Sequence, residues 1–138
     1  MIRRATRKDI PALLEMGRKF SDKANLAGHV GYDAHSMAQT FEAMIDNGHP
    51  LFVSDTGAIG ATCLPHPFNG EHIAAQELFW WSEGRDGLAL LDALEKHCEE
   101  HCHSLTMITL EAIRPDATGR LYQRRGYAPL EHSYVKVF

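Results

Sequence analysis

The sequence lacks several features that define particular classes of protein. Its apolar runs are short, and none approaches the roughly 20 residues that a membrane-spanning helix requires. Residues 1–6 lack the apolar core of a secretory signal peptide, so we expect a cytoplasmic protein. There are three cysteines, Cys63, Cys98 and Cys102, and this odd, small number favours free thiols over a disulfide framework.

An excess of basic charge is also missing. The chain has 14 Lys and Arg against 18 Asp and Glu, for a formal net charge of −4. The arginine pairs at 3–4 and 124–125 do not make the basic face that binds phosphates, so we expect neither nucleic acid nor a membrane as partner. No Pro-, Gly- or Ser-rich stretch divides the 138 residues, which predicts one domain over 1–138. The sequence leaves a homodimer open.

The first half of the chain predicts a strand, two helices and a hairpin. Residues 2–5 are strand-like, and Thr6 with Asp9 three positions later predicts the start of a helix that runs to about residue 23. After a loop over 25–32, a second helical pattern ends near Gly48. Strand-like runs over 51–54 and 58–64 flank a tight-turn signal at 55–57, which predicts a hairpin.

The second half predicts alternating strands and helices. A turn-rich loop over 65–70 precedes a long strand over about 73–81, on which strict alternation places Glu77 on the same face as Phe79 and Trp81. The elements that follow are a helix over about 86–102, a strand over 105–112, a helix over 115–125 with Asp116 as N-cap and Gly126 as its stop, and a last strand over 134–138. The order β-α-α-β-β-β-α-β-α-β predicts an α/β (α+β) fold with a mixed central sheet.

The junction between the long strand and the third helix is the most informative segment. Gly84 and Gly87 precede a strongly amphipathic helix, so backbone N–H groups and the positive end of the helix dipole face a space with few side chains. Such a junction can hold an anion such as a pyrophosphate. A structural turn needs the same glycines, so the spacing alone leaves both interpretations open.

This junction resembles the acetyl-CoA site of the GNAT family of N-acyltransferases. The family pattern is Gln/Arg-x-x-Gly-x-Gly/Ala, which Gly87 and Ala89 match, whereas Gly84 occupies the first position and Arg85 stands one residue out of register. With the element order, the resemblance covers nearly the whole chain and is to compact single-domain members from bacteria and phages. It implies the GNAT fold and acetyl-CoA as cosubstrate. The residues implied to bind acetyl-CoA are Phe79, Trp80, Trp81, Gly84, Arg85, Asp86, Gly87, Leu88, Ala89 and Tyr122.

The resemblance also implies two catalytic residues. Residues 121–127 are similar to the family's Leu-Tyr-x-x-x-Gly-Phe/Tyr helix, whose tyrosine protonates the departing thiolate, and Tyr122 matches it. A phenol with a pKa of about 10 is protonated at neutral pH and suits that role. Glu77 is similar to the strand glutamate that serves as base in some members, with Glu83, Glu111 or a water as substitutes. The alternatives are that Tyr122 packs in the core and that Glu77 forms a salt bridge with an arginine.

For the amine that accepts the acetyl group, only the chemical class is predicted. His29, Tyr32 and Trp81 lie in segments that line the acceptor side in similar enzymes. Acidic residues in these segments favour a small cationic amine over a protein lysine. The implied activity is therefore an N-acetyltransferase that acts by direct attack in a ternary complex, without a metal.

Two other functions compete with this interpretation. His97 and His101 belong to a His-x-x-Glu-His pattern that is found in one class of zinc peptidases. A catalytic zinc needs a third ligand and a cleft, for which few residues remain. The second alternative is a GNAT-like module that binds acyl-CoA or a protein without catalysis, since fold does not fix function.

Overall fold

The strands form one mixed sheet in the computed structural model, which describes residues 1–138. The five strands are β1 (Arg3–Arg4), β2 (Leu51–Val53), β3 (Gly57–His66), β4 (Asn69–Ser82) and β5 (Ser104–Thr106). They lie side by side in chain order. The pairs β1–β2, β2–β3 and β3–β4 are antiparallel, whereas β5 runs parallel to β4. The helices are α1 (Ile10–Lys23), α2 (Ala34–Asp46), α3 (Gly87–His101) and α4 (Pro115–Arg124), with short 3-10 turns at Arg7–Asp9 and Leu26–Gly28.

The predicted fold class is confirmed, because the helices and strands follow one another as β-α-α-β-β-β-α-β-α around a mixed sheet. The first helix starts slightly later than predicted, because Thr6 caps a 3-10 turn over Arg7–Asp9 and Asp9 is the N-cap of α1. The Asp9 carboxylate accepts a hydrogen bond of 2.7 Å from the backbone N–H of Thr6, which satisfies a donor just before the helix. None of the four helices has the length and apolarity to cross a bilayer.

Two apolar clusters hold the helices on opposite faces of the sheet. On one face, α1 and α2 supply Leu13, Phe20, Phe41 and Met44, which pack with Phe79 of β4. On the other face, the leucine stripe of α3 packs on β3, with its members Leu90, Leu91 and Leu94 fully buried. Each buried leucine contributes about 1.5–3 kcal/mol relative to an exposed one, so this stripe is a major part of what holds α3 on the sheet.

A β-bulge in β4 overturns the predicted facing of Glu77. Gly60 pairs with Phe79 and Ala61 pairs with Glu77, which leaves Leu78 without a partner. The bulge shifts the alternation by one residue. Glu77 therefore follows Ala75 on the α3 face, whereas Phe79 packs against α1 and α2. Periodicity could not reveal this, because a single unpaired residue leaves no mark on composition.

The predicted loop over 65–70 is much shorter than expected. β3 continues to His66 and β4 starts at Asn69, so that only Pro67 and Phe68 form the turn. The register of the hairpin shifts between Pro65 and His66. Proline lacks a backbone N–H, and an irregularity of this kind is where a strand tolerates it.

Three predictions in the C-terminal part were wrong. The strand over 105–112 is reduced to β5 and an isolated bridge between Leu110 and Ile113. Arg114 rather than Asp116 is the N-cap of α4, because Pro115 takes the first helical position and its fixed φ suits that place. Residues 134–138 are exposed and form no strand. Gly126, with a φ of 95°, does end α4 in the left-handed conformation, as predicted.

Candidate active site

The site lies where β4 and β5 separate. β5 pairs with only three residues of β4, from Ala74 to Gln76, and ends at Thr106. From Glu77 to Ser82, the β4 edge that faces away from β3 therefore has no strand beside it. A cavity of about 180 Å³ opens in this gap, and its lining consists of Phe20, Glu77, Trp80, Ile108, Leu110, Ile113, Thr118 and Tyr122.

Glu77 is the one charged residue of this cavity and is 5% exposed. Its Oε1 accepts a hydrogen bond of 3.0 Å from the backbone N–H of Ile108. No lysine or arginine pairs with it, which removes the alternative of a buried salt bridge. Burial raises the pKa of the Glu77 carboxyl to about 7, so this group can accept and release a proton near neutral pH.

Tyr122 faces the same cavity from α4. It is 6% exposed, and its hydroxyl donates a hydrogen bond of 3.0 Å to the carbonyl oxygen of Ile108. Burial raises the pKa of the Tyr122 phenol, and the charge of Glu77 raises it further. The phenol is therefore protonated at neutral pH. Ile108 leaves no signal in the sequence, because it contributes only its backbone N–H and carbonyl groups.

The ring of Tyr122 is held by contacts between α4 and α3. It packs against the ring of Tyr127, with centroids 5.3 Å apart, and the Tyr127 hydroxyl donates to Glu95 at 3.0 Å. Arg125 forms an ion pair of 2.7 Å with Glu95 and a further pair with Asp92. These contacts fix the end of α4, and therefore Tyr122, relative to α3.

The junction that resembles the acetyl-CoA motif combines unpaired backbone N–H groups with a glycine that leaves space beside them. The backbone N–H groups of Gly87, Leu88 and Ala89 make no hydrogen bond within the protein, as expected for the first turn of α3. A Cβ on Gly87 would come no closer than 3.6 Å to Ser82 and 3.9 Å to Trp80, which are ordinary contacts. Packing within the protein therefore does not require glycine at this position, and the space suits a group that must approach the backbone closely.

At position 84, by contrast, packing within the protein does require glycine. A Cβ on Gly84 would overlap the Thr56 hydroxyl and lie 3.0 Å from the Thr56 Cβ. The turn between β2 and β3 thus leaves no room for the Gln or Arg of the family pattern at this position. Arg85, which is exposed and makes no hydrogen bond or ion pair, is free to face an anion in its place.

The side chain of Asp86 is bound within the protein. Its carboxylate accepts hydrogen bonds from the hydroxyls of Ser82 at 2.6 Å and Thr56 at 2.9 Å. The Ser54, Ser82 and Thr56 hydroxyls lower the pKa of the Asp86 carboxyl to about 2. These bonds tie the Asp86 side chain to the turn between β2 and β3 and to the end of β4.

The aromatic residues of β4 have separate surroundings. Phe79 lies in the core, with its ring centroid 5.9 Å from that of Phe20 and 5.7 Å from that of Phe41. Trp80 lines the cavity and donates from Nε1 to the Gly87 carbonyl at 3.1 Å, which connects the cavity wall to the start of α3. Trp81 packs against the α1 and α2 cluster, and its Nε1 is buried without a partner.

Tyr32 and His29, the residues between α1 and α2 that were predicted to bind the acceptor amine, do not lie in one site. The Tyr32 hydroxyl donates to the Leu14 carbonyl at 2.7 Å and its ring packs on Gly17, so Tyr32 serves the packing of α1. His29 is exposed and lines a broad groove along β5 that reaches Tyr122.

The zinc-peptidase pattern does not form a metal centre in this structure. The rings of His97 and His101 lie 4.6 Å apart, but Nδ1 of His97 faces the Arg4 guanidinium at 3.2 Å. No group of three or more His, Cys, Asp or Glu side chains is arranged to hold a metal ion. The pattern therefore has no structural support beyond two neighbouring rings.

The fold is that of GNAT-type acetyltransferases, as solved structures show. The chain is similar to a GCN5-related N-acetyltransferase from Ralstonia eutropha JMP134, with a TM-score of 0.68, 16% identity, and coverage of 99% of this chain and 97% of that one. It is similar to a ribosomal-protein-alanine N-acetyltransferase from Brucella melitensis biovar Abortus 2308, with a TM-score of 0.67, 19% identity, and coverage of 100% and 99%.

A third similar structure is an aminoglycoside acetyltransferase from an uncultured soil metagenomic sample, with a TM-score of 0.69, 13% identity, and coverage of 100% and 96%. Neither a protein-family model nor a curated protein matches the sequence. The similarity lies in the fold and extends along essentially the whole chain.

Proposed function

We propose that the protein is an N-acetyltransferase that transfers an acetyl group from acetyl-CoA to a primary amine. One observation carries the proposal. Glu77, a carboxyl with a pKa of about 7, and Tyr122, a protonated phenol, face one cavity at the point where β4 and β5 separate. A base and an acid that share one small cavity are what amide formation from a thioester requires.

In the proposed reaction, acetyl-CoA supplies the acetyl group as a thioester. Glu77 takes the proton of the amine, directly or through water, so that the nitrogen can attack the carbonyl carbon. Backbone N–H groups on the free edge of β4, between Phe79 and Trp81, are the candidates to polarise the carbonyl oxygen. As the C–N bond forms and the C–S bond breaks, Tyr122 gives its proton to the sulfur.

The two proton transfers support each other. While Glu77 is charged, it raises the pKa of Tyr122 and keeps the phenol protonated. When Glu77 has taken the proton of the amine, that charge disappears and Tyr122 becomes a stronger acid at the moment the thiolate departs. Burial, the larger cause of the raised pKa, persists, so the thiolate must lie within hydrogen-bond distance of the phenol.

For the cosubstrate, the start of α3 is the proposed binding site. The free N–H groups of residues 87–89, the absent side chain of Gly87 and the unpaired Arg85 suit a pyrophosphate. For the acceptor, we propose a small cationic amine, because Glu77 is the only charged residue in the cavity lining and no basic residue opposes a cation there.

Calorimetric titration with acetyl-CoA tests the proposal. We expect the wild-type protein to bind and Gly87→Glu to lose binding, since the new side chain brings bulk and negative charge to the pyrophosphate site. The matched control is Gly87→Ala, whose Cβ makes only ordinary contacts within the protein. It adds little bulk and no charge, so it should fold normally and weaken binding much less than Gly87→Glu. Absence of binding by the wild-type protein contradicts the proposal. When binding is present, a screen of amines for release of the CoA thiol identifies the acceptor.

A second candidate is a module that binds acyl-CoA or a protein without catalysis. The observation that favours it is the crowding at Gly84, where Thr56 excludes the Gln or Arg of the family pattern. Under this alternative, acetyl-CoA binds but no amine in the screen causes release of the CoA thiol. Release of the thiol with a defined amine product excludes the alternative.

A further inference from the structure

Three thiols meet on the α3 side of the sheet, and none of them lines the cavity of Glu77 and Tyr122. Cys63 belongs to β3, Cys98 lies in the last turns of α3, and Cys102 caps the C-terminal end of that helix. All three are free. The Sγ atoms of Cys63 and Cys102 are 3.2 Å apart, and both residues are partly exposed.

This separation is little more than 1 Å longer than a disulfide bond, whose length is about 2.05 Å. The two cysteines are 39 positions apart in the chain, so the folded structure alone brings them together. We propose that Cys63 and Cys102 form an oxidisable dithiol site that a disulfide of low molecular weight, such as glutathione disulfide, converts reversibly to an intramolecular disulfide.

The chemistry balances with that oxidant. One protein thiol loses its proton and attacks a sulfur of glutathione disulfide, which releases one glutathione thiolate and leaves a mixed disulfide. The second protein thiol then attacks the mixed disulfide and releases the second glutathione. Two protein thiols are oxidised by two electrons in total, and one glutathione disulfide is reduced to two glutathione molecules, which take up the two protons.

The order of attack follows from the surroundings of the two thiols. Burial, together with the neighbouring Cys102 thiol, raises the pKa of Cys63 to about 12, so we expect the first attack to come from Cys102. Cys63 then resolves the mixed disulfide from 3.2 Å away. Cys98 is buried, with 5% of its surface exposed, and burial raises its pKa as well. Glutathione disulfide should therefore not reach Cys98, and the Cys98 thiol should remain reduced.

The bond would join the C-terminal end of α3 to the sheet, near the three residues of β4 that pair with β5. Cys63 lies opposite Ala75 of β4, and Cys102 comes two residues before Ser104, which starts β5 and pairs with Ala74. The cross-link would therefore close a long loop beside the segment where β5 pairs with β4, close to the point at which the two strands separate. A cross-link of this kind restricts the unfolded chain, so the oxidised protein should melt at a higher temperature.

The test uses the full chain, reduced and then incubated with glutathione disulfide. Intact mass spectrometry should show the loss of two hydrogens with no glutathione retained, and a peptide map after alkylation should join Cys63 to Cys102. The melting temperature should rise, and dithiothreitol should return both readouts to their initial values. Cys98→Ser should behave like the wild type, whereas Cys102→Ser should form no internal bond and show no rise in melting temperature.

Several results would overturn the proposal: a wild-type protein that keeps all three thiols, a mixed disulfide that persists, a bond that involves Cys98, or a bond between two molecules. If Cys102→Ser does not fold, the peptide map of the wild-type protein decides the question by itself.

Discussion

Glu77 and Tyr122 both form hydrogen bonds with the backbone of Ile108. The Ile108 N–H donates to the Glu77 carboxylate and the Tyr122 hydroxyl donates to the Ile108 carbonyl oxygen, each over 3.0 Å. Ile108 lies in the segment that follows β5, after that strand has left β4. The position of one backbone segment therefore sets the spacing of the proposed acid and base. This arrangement leads to predictions for each side chain and for the elements that hold them.

Tyr122→Phe should lower kcat by about 100-fold, because general acid catalysis typically contributes 10²–10⁴. The affinity for acetyl-CoA should change little, since the ring and its packing against Tyr127 remain. Steady-state kinetics and calorimetry, run on the same preparation, check both parts. Tyr134→Phe is the control, because Tyr134 is exposed and does not line the cavity. An unchanged turnover number in Tyr122→Phe removes the tyrosine from the mechanism.

Glu77→Gln should lower kcat/KM by about 100-fold or more above neutral pH. In the wild type, kcat/KM should rise with pH through about 7, where Glu77 loses its proton and becomes a base. The variant should lack this rise. Glu71→Gln is the control, since Glu71 is exposed and lines neither the cavity nor the groove along β5. A pH profile of Glu77→Gln that still rises near pH 7 would assign the base to another group or to water.

Glu77 should also leave a signature in stability. Its pKa is about 7 in the folded state and 4.5 in the reference state, so the unfolded chain loses this proton first as the pH rises. The free energy of unfolding should therefore fall between about pH 4.5 and 7, by about 3 kcal/mol from this group. Glu77→Gln should lack that decrease and should be more stable than the wild type at pH 8. Urea unfolding at several pH values measures it, and parallel curves for the two proteins would contradict the raised pKa.

Glu95→Ala should destabilise the contact between α3 and α4. It removes the partner of Arg125 and of the Tyr127 hydroxyl, and loss of such charged hydrogen bonds costs about 1.5–3 kcal/mol. Asp92→Ala, which removes only a largely exposed partner of Arg125, should cost under about 1 kcal/mol. Thermal unfolding of both variants compares them. Equal losses would mean that Glu95 has no special role in holding α4.

Gly84→Ala should destabilise the protein by about 1–3 kcal/mol, because its Cβ overlaps the Thr56 side chain. Gly87→Ala should be nearly neutral in stability, since the new Cβ makes only ordinary contacts with Ser82 and Trp80. Thermal unfolding distinguishes the two glycines. A destabilised Gly87→Ala would return that glycine to a purely structural role.

Much of the fold could be predicted from periodicity and local signals. The leucine stripe of α3, the carboxylate of Asp9 beside Thr6 and the left-handed stop at Gly126 each depend on residues that are neighbours in the chain or on one helix face. The C-terminal strand prediction was wrong, because a strand-like composition does not guarantee a neighbour to pair with. The catalytic and binding assignments stay predictions, although the structure now brings Glu77, Trp80 and Tyr122 to one cavity.

The sequence by itself determined which segments are amphipathic, roughly where the four helices lie, and that glycines precede α3. Tertiary structure alone decided the rest. The bulge at Leu78 moved Glu77 to the α3 face, and the early end of β5 opened the cavity in which Glu77 meets Tyr122. The contact between Cys63 and Cys102 also depends on distant segments. The physical reason is that register, strand pairing and burial arise from contacts between residues far apart in the chain, whereas periodicity records only the neighbours along it.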